Sequence, residues 1–201
     1  MKALSNEKIR VILGEAGFAP RRSGLEWVRE SDHFVDVIDI QYSKSLERLT
    51  VNVSTLNKAI RSIIDEVTPE SSRVGSFYTI STRLGQLIDG KDRWWNRRNT
   101  DGILEICDAI KTRALPFLER MHSLEGLRDY LAPEGGERWG NVTPRLDLAV
   151  ILSQLGEIER ACELLNNPTR RLLPQELAKV QAVKRRLCEE LPGRDDSALQ
   201  G

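Results

Sequence analysis

The sequence predicts an α+β protein: a four-stranded antiparallel sheet with helices packed on its apolar face, then a helical C-terminal extension. Three observations predict it. Residues 33–56, HFVDVIDIQYSKSLERLTVNVSTL, hold two runs of alternating apolar and polar residues around a short polar loop, the pattern of a β-hairpin with one buried face. Two further short alternating stretches, residues 24–30 and 76–84, lie before and after it. Most of the remaining chain places apolar residues three and four apart, the spacing of a helix face.

In chain order, Ser5 is placed to cap a first helix, although Lys8 leaves its capping box incomplete. Ile9, Ile12, Leu13 and Ala16 form that helix's apolar face, Gly17 ends it and Pro20 prevents its resumption. GLEWVRE (residues 24–30) is the first strand. In the hairpin, pairing apolar with apolar sets the register: Tyr42 opposite Leu49, Ile40 opposite Val51, Ile38 opposite Val53. Gln41 then faces Thr50 and Asp39 faces Asn52, on the other side of the sheet. Residues 57–66 form an amphipathic helix with Ile60, Ile63 and Ile64 inward, residues 68–75 a polar loop, and residues 76–84 the fourth strand. After the Asp89-Gly90 turn, Thr100 or Asp101 caps a long helix that Pro116 should kink or interrupt. Residues 124–131 make a further short helix.

The glycine- and proline-rich stretch 132–141, APEGGERWGN, is the expected linker. It divides an α+β domain, residues 1–131, from a helical extension, residues 142–191, expected to pack on that domain. The extension reads as a helix pair around Gly156 and a last helix opened by Pro174, with Leu177, Val180, Val183, Leu187 and Leu191 on one face. Residues 192–201 are expected to form a disordered tail.

Composition narrows the function. At 201 residues the chain can bury a core without metal or disulfide support. Thirty basic residues balance thirty acidic ones, so no overall charge draws it to nucleic acid or anionic membrane. No apolar run approaches the roughly 18 residues of a membrane span, and MKALSNEKIR does not read as a signal peptide. Cys107, Cys162 and Cys188 are odd in number and lie in helical patterns, which reads as reduced, buried thiols in a cytoplasmic protein.

Four pieces occur in a suggestive order: Ala16-Gly17-Phe18; the hairpin with VIDIQYS and LTVNVS; RLGQLI at residues 83–88; and Asp92-Arg93-Trp94-Trp95 before the long helix. In this order and spacing the chain resembles the mainly bacterial family known as domain of unknown function 4304, over roughly residues 5–122. The resemblance supports the order of elements and implies no catalytic residue or substrate. The helical segment after residue 141 is not matched.

The candidate binding residues fall in two groups. Asp39, Gln41, Thr50, Asn52, Ser81 and Arg83 project from the polar side of the sheet, with an acceptor, amides, hydroxyls and a guanidinium on a rigid support. A solvated sheet face accounts for the same residues. Arg93, Trp94 and Trp95, in KDRWWNRR, could stack on bases, but one tryptophan at the core edge and the other under a cationic stem explain them more simply. No familiar metal-ligand spacing, nucleophile elbow or phosphate loop occurs, so no catalytic residue, metal site or cofactor is expected. The expected function is non-catalytic binding of a macromolecular partner, a protein rather than nucleic acid, in an immunity or antitoxin-like role. The alternative is an enzyme acting on a small polar or phosphorylated substrate at the polar sheet face. The sequence leaves the oligomeric state open.

Overall fold

The structure, a computed structural model, describes residues 2–21, 24–45, 47–68, 78–132, 142–168 and 171–189. The elements in order are α1 (Lys2–Glu15), β1 (Ala19–Pro20), β2 (Glu26–Glu30), β3 (Phe34–Tyr42), β4 (Arg48–Asn57), α2 (Lys58–Val67), β5 (Ile80–Arg83), α3 (Leu84–Asp89), β6 (Trp95–Asn96) and α4 (Thr100–Ala109). A π-helical turn (Ile110–Ala114) leads to α5 (Leu115–Met121), then α6 (Leu124–Leu131), α7 (Thr143–Gln154), α8 (Ile158–Asn166), α9 (Pro174–Lys184) and a second π-helical turn (Arg185–Glu189). Most of the polar loop before β5, most of the expected linker and the expected tail lie outside the described residues.

Contacts divide the chain into two compact units: Met1–Lys58 with Tyr78–Ser123, and Ala59–Phe77 with Leu124–Gly201. The first unit is built on an antiparallel sheet in the order β1-β2-β3-β4-β5, with β6 paired to the other end of β4. The hairpin register is the expected one: Tyr42 pairs Leu49, Ile40 pairs Val51 and Ile38 pairs Val53. Slipping by one residue would turn Asp39, Gln41 and Asn52 into the core, which is why alternation alone sets it.

The sheet has six strands rather than four. Both extra strands, β1 and β6, are two residues long, too short to carry a period-2 signal. The helix α1 begins at Lys2, so Ser5 lies within it rather than at its cap. For α4 the cap is Asn99, whose side chain accepts from the Asp101 N–H at 3.1 Å. Pro116 does interrupt the long helix, through the π turn. The Leu115 N–H bonds back to the Ile110 carbonyl, widening the backbone just where a proline ring must be seated and one N–H is missing.

The apolar face of the sheet supplies Trp27, Ile38, Ile40, Leu49, Val51, Val53 and Ile80, all buried. Ile9 and Leu13 of α1, Ile103 and Ile106 of α4 and Phe117 and Leu118 of α5 complete this core. The second unit is helical. Residues 145–152 of α7 are buried without exception, and Gly156, at φ 80°, turns the chain into α8. Arg145, fully buried, donates to the carbonyls of Leu164 and Asn167 and so caps the C-terminus of α8. In α9, Val180 and Val183 are buried, as is Leu187 in the π turn that follows, but Leu177 is 45% exposed and does not share their inward face.

The cysteine expectation is overturned. Cys162 of α8 and Cys188 of the last π turn form a disulfide, with Cα atoms 6.0 Å apart. Cys107 alone is free and buried, and burial raises its thiol pKa, which keeps it protonated.

Candidate functional site

The polar side of the sheet is organised by a row across four strands. Glu26 of β2 pairs Asp39 of β3, Asp39 pairs Asn52 of β4, and Asn52 pairs Arg83 of β5. Because residues directly opposite one another share a face, two carboxylates, an amide and a guanidinium form one line on the sheet. Asn52 holds it together: its Nδ2 donates to Asp39 Oδ2 at 3.0 Å and to Gln41 Oε1 at 3.3 Å. At the acidic end Arg21 pairs with Glu26 at 2.9 Å. Burial and then the charge of Glu26 raise the pKa of the Tyr78 phenol there, against the opposing charge of Arg21. Tyr78 therefore stays a neutral hydroxyl across the physiological range.

At the basic end Arg83 lies over the Trp94 ring, 5.4 Å from its centroid, and pairs with Asp92. Ser81, exposed, accepts from the Ser54 hydroxyl at 2.9 Å. Thr50 shares this face but is fully buried, and its hydroxyl donates to the Arg93 carbonyl at 3.0 Å. Arg93 is engaged with Asp89 and Glu105, and these carboxylates explain its raised pKa, with the Asp89 bond the largest contribution. Trp95 lies on the opposite side: it pairs with Leu49, is 5% exposed, and donates its indole N–H to Glu105 at 2.9 Å. Of the sequence candidates, the structure brings Asp39, Gln41, Asn52, Ser81 and Arg83 together, sets Trp94 and Arg93 at their margin, and buries Thr50 and Trp95.

The segment Lys91–Arg93 reaches Thr50 because it passes against Gly85. A Cβ on Gly85 would come within 2.5 Å of the Lys91 carbonyl oxygen and 2.6 Å of Arg93 Cβ. Glycine at position 85 is thus a condition of the close approach that lays Trp94 and Arg93 beside the row.

Sequence reasoning missed a second polar cluster, set among the apolar residues on the opposite face. Asp36, 1% exposed, accepts from Arg29 Nε at 3.1 Å and Nη2 at 2.8 Å, and both its oxygens lie 3.0 Å from His122 Nε2. Arg29 also bonds Glu119 at 2.7 Å, and Glu119 lies 3.6 Å from His122 Nδ1, closing a ring of four groups. The imidazole stacks on Phe34 at 4.5 Å. Burial lowers the Arg29 pKa, but the bond and charge of Asp36, then those of Glu119, outweigh it and the net shift is upward. The ring ties β2, β3 and α5 together, with the only nearby unpartnered hydroxyl among the described residues being that of Thr55, opposite Asp36 in the register. One signal pointed here: Asp36 occupies an inward position between Phe34 and Ile38. Its partner is 86 residues away.

Fold and site define a class first: an antiparallel α+β domain with a pinned core and an ordered polar row on its other sheet face. The family model described as Domain of unknown function (DUF4304) matches residues 9–120, more than half of the chain, and the chain belongs to that family. The region beyond residue 120 lies outside the match. No curated protein and no solved structure matches the chain. Among the described residues no helix is long and apolar enough to cross a membrane.

Proposed function

We propose that the protein binds a macromolecular partner, another protein, through the row Glu26–Asp39–Asn52–Arg83 and its neighbours Gln41 and Ser81, without performing chemistry on it. An immunity or antitoxin-like role belongs to the same proposal. The observation that carries it is the use Asn52 makes of its amide. By donating to both Asp39 and Gln41 it fixes three side chains on a rigid sheet. The Asn52 side-chain oxygen and the Gln41 amide nitrogen have no hydrogen-bond partner among the described residues, which leaves both for a partner's polar groups in this proposal. Side chains held in place before binding lose little entropy on binding, which favours recognition by a polar partner surface. Arg83 on Trp94 gives the row a flat cationic end, and Glu26 with Asp39 an acidic one, so the surface reads orientation as well as charge.

A cytoplasmic compartment is part of this reading. The Cys162–Cys188 disulfide argues the other way, since cytosolic thiols are kept reduced. Acid quenching and alkylation of protein taken directly from cells decides between them.

The test is co-expression with the product of the adjacent gene, followed by co-purification. Gln41→Lys and Asn52→Lys should abolish the complex while leaving the melting temperature unchanged. A complex that survives both substitutions refutes the assignment to this face.

A further inference from the structure

The second unit carries a covalent bond between two of its helical elements. Cys162 lies in α8 and Cys188 in the last described π turn, and the two are joined across 26 residues. Both are half-buried, so the bond is open in part to a small reagent while the unit is folded. The free thiol of Cys107 is buried in the other unit.

The element that this bond holds is α9. None of residues 171–179 is buried, and Leu173 and Leu177 are 56% and 45% exposed. Attachment rests on Val180, Val183 and Leu187, a narrow stripe three and four residues apart. The Arg186–Glu66 pair, at 4.0 Å between two exposed side chains, adds little. An isolated helix of eleven residues is marginal in water, so α9 keeps its form only while docked. The disulfide anchors its C-terminal end by keeping Cys188 beside α8. By contrast, α8 is secured without the bond, because Arg145 of α7 caps its C-terminus at the Leu164 and Asn167 carbonyls. Opening the bond therefore frees α9 and leaves α8 in place.

We propose that Cys162–Cys188 is a reversible redox-modification site whose reduction by a small thiol releases α9 from α8. The site uses none of the polar-row residues and stands or falls independently of that row.

The exchange runs in two displacements. The thiolate of a small monothiol attacks the Cys162 sulfur and forms a mixed disulfide, and the Cys188 sulfur leaves as a thiolate and takes a proton. Lys184, Arg185 and Arg186 directly precede Cys188 against the single acid Glu189, and positive charge favours departure of that sulfur. A second monothiol then attacks the mixed disulfide at the sulfur of the first, and Cys162 leaves and is protonated. The pair gains two electrons and two protons, and the two monothiols leave as their own disulfide.

The probe is glutathione with its disulfide, in graded ratios, acting on the oxidised full chain without denaturant. After acid quenching, unfolding and alkylation, the mass should pass in one transition from one alkyl group, on Cys107, to three. Amide hydrogen exchange reads the release. On reduction the α9 amides should accelerate on the order of 100-fold, to within about ten-fold of an unstructured chain, while α7 stays protected. Reoxidation should restore the slow rates. Cys188→Ser should exchange in α9 at the reduced rate and ignore glutathione; should it fail to fold, the parent chain reduced in place gives the same reading. A bond that glutathione opens only in urea, an α9 still protected after reduction, or protection lost in α7 together with α9 overturns the proposal.

Discussion

Replacing Asp36 with asparagine perturbs the buried ring at its centre and at nearly constant volume. In the native unit the Asp36 side chain is 2% exposed and meets Arg29 through two bonds and His122 through a third group of contacts at 3.0 Å. An asparagine keeps one acceptor oxygen but turns an amide NH2 towards groups that are themselves donors, and removes the charge opposing Arg29. Breaking a buried ion pair costs about 3–5 kcal/mol. Arg29 is 23% exposed and keeps Glu119, so the lower end applies and the expected loss is about 3 kcal/mol. With a urea m-value of about 1.5 kcal/mol/M, the midpoint should fall by about 2 M. Tryptophan fluorescence is the assay, because three of the four tryptophans, Trp27, Trp94 and Trp95, lie in the first unit. A double-mutant cycle with Arg29→Met should return a coupling of about 1–2 kcal/mol. A midpoint shift below about 0.3 M, or a coupling indistinguishable from zero, would refute the reasoning that the ring pins the fold.

Three other outcomes are expected. Gly85→Ala should cost about 2 kcal/mol in urea unfolding, because its Cβ collides with the Lys91 carbonyl and the loop must withdraw from Thr50; a silent substitution would mean the approach is not tight. Asp147 of α7 is held protonated by burial, against a weaker opposing effect of Arg61, with its pKa raised well above 3.8. In the unfolded chain it ionises near that ordinary value, so above it the unfolded state binds fewer protons and stability falls with rising pH until the folded group also ionises. Asp147→Asn should thus stabilise the second unit at pH 7 and flatten its stability–pH profile; an unaltered profile would show that this carboxyl does not set it. Reducing the Cys162–Cys188 bond, which spans 26 residues, should cost roughly 3.5 kcal/mol by loop-closure entropy. Cys162→Ser should show the same loss and no further response to dithiothreitol.

The central hairpin was legible because its two faces differ. Ile38, Ile40, Val51 and Val53 are apolar on one side, Asp39, Gln41 and Asn52 polar on the other, so only one register keeps both sets in suitable surroundings. The amphipathic helix at α2 and the break at Gly156 were legible for a similar local reason: periodicity and backbone freedom act over a few residues. The strands β1 and β6 were not, since two residues carry no period. Their existence depends on a neighbour with free edge groups, which is a tertiary condition.

The chemistry divides along the same line. Alternation within β3 and β4 was enough to bring Asp39, Gln41 and Asn52 onto one face, and Arg83 followed from the alternation in β5. Sequence alone thus determined the framework, its register and most of the polar row, because each rests on residues close in the chain. Only the tertiary structure decided that Thr50 and Trp95 are buried, that Glu26 extends the row, that Asp36 meets His122, that Cys162 meets Cys188, and that the buried Trp27 N–H has no partner among the described residues. Those results come from side chains made neighbours by the whole fold, and distance in space is what a period in the sequence does not encode.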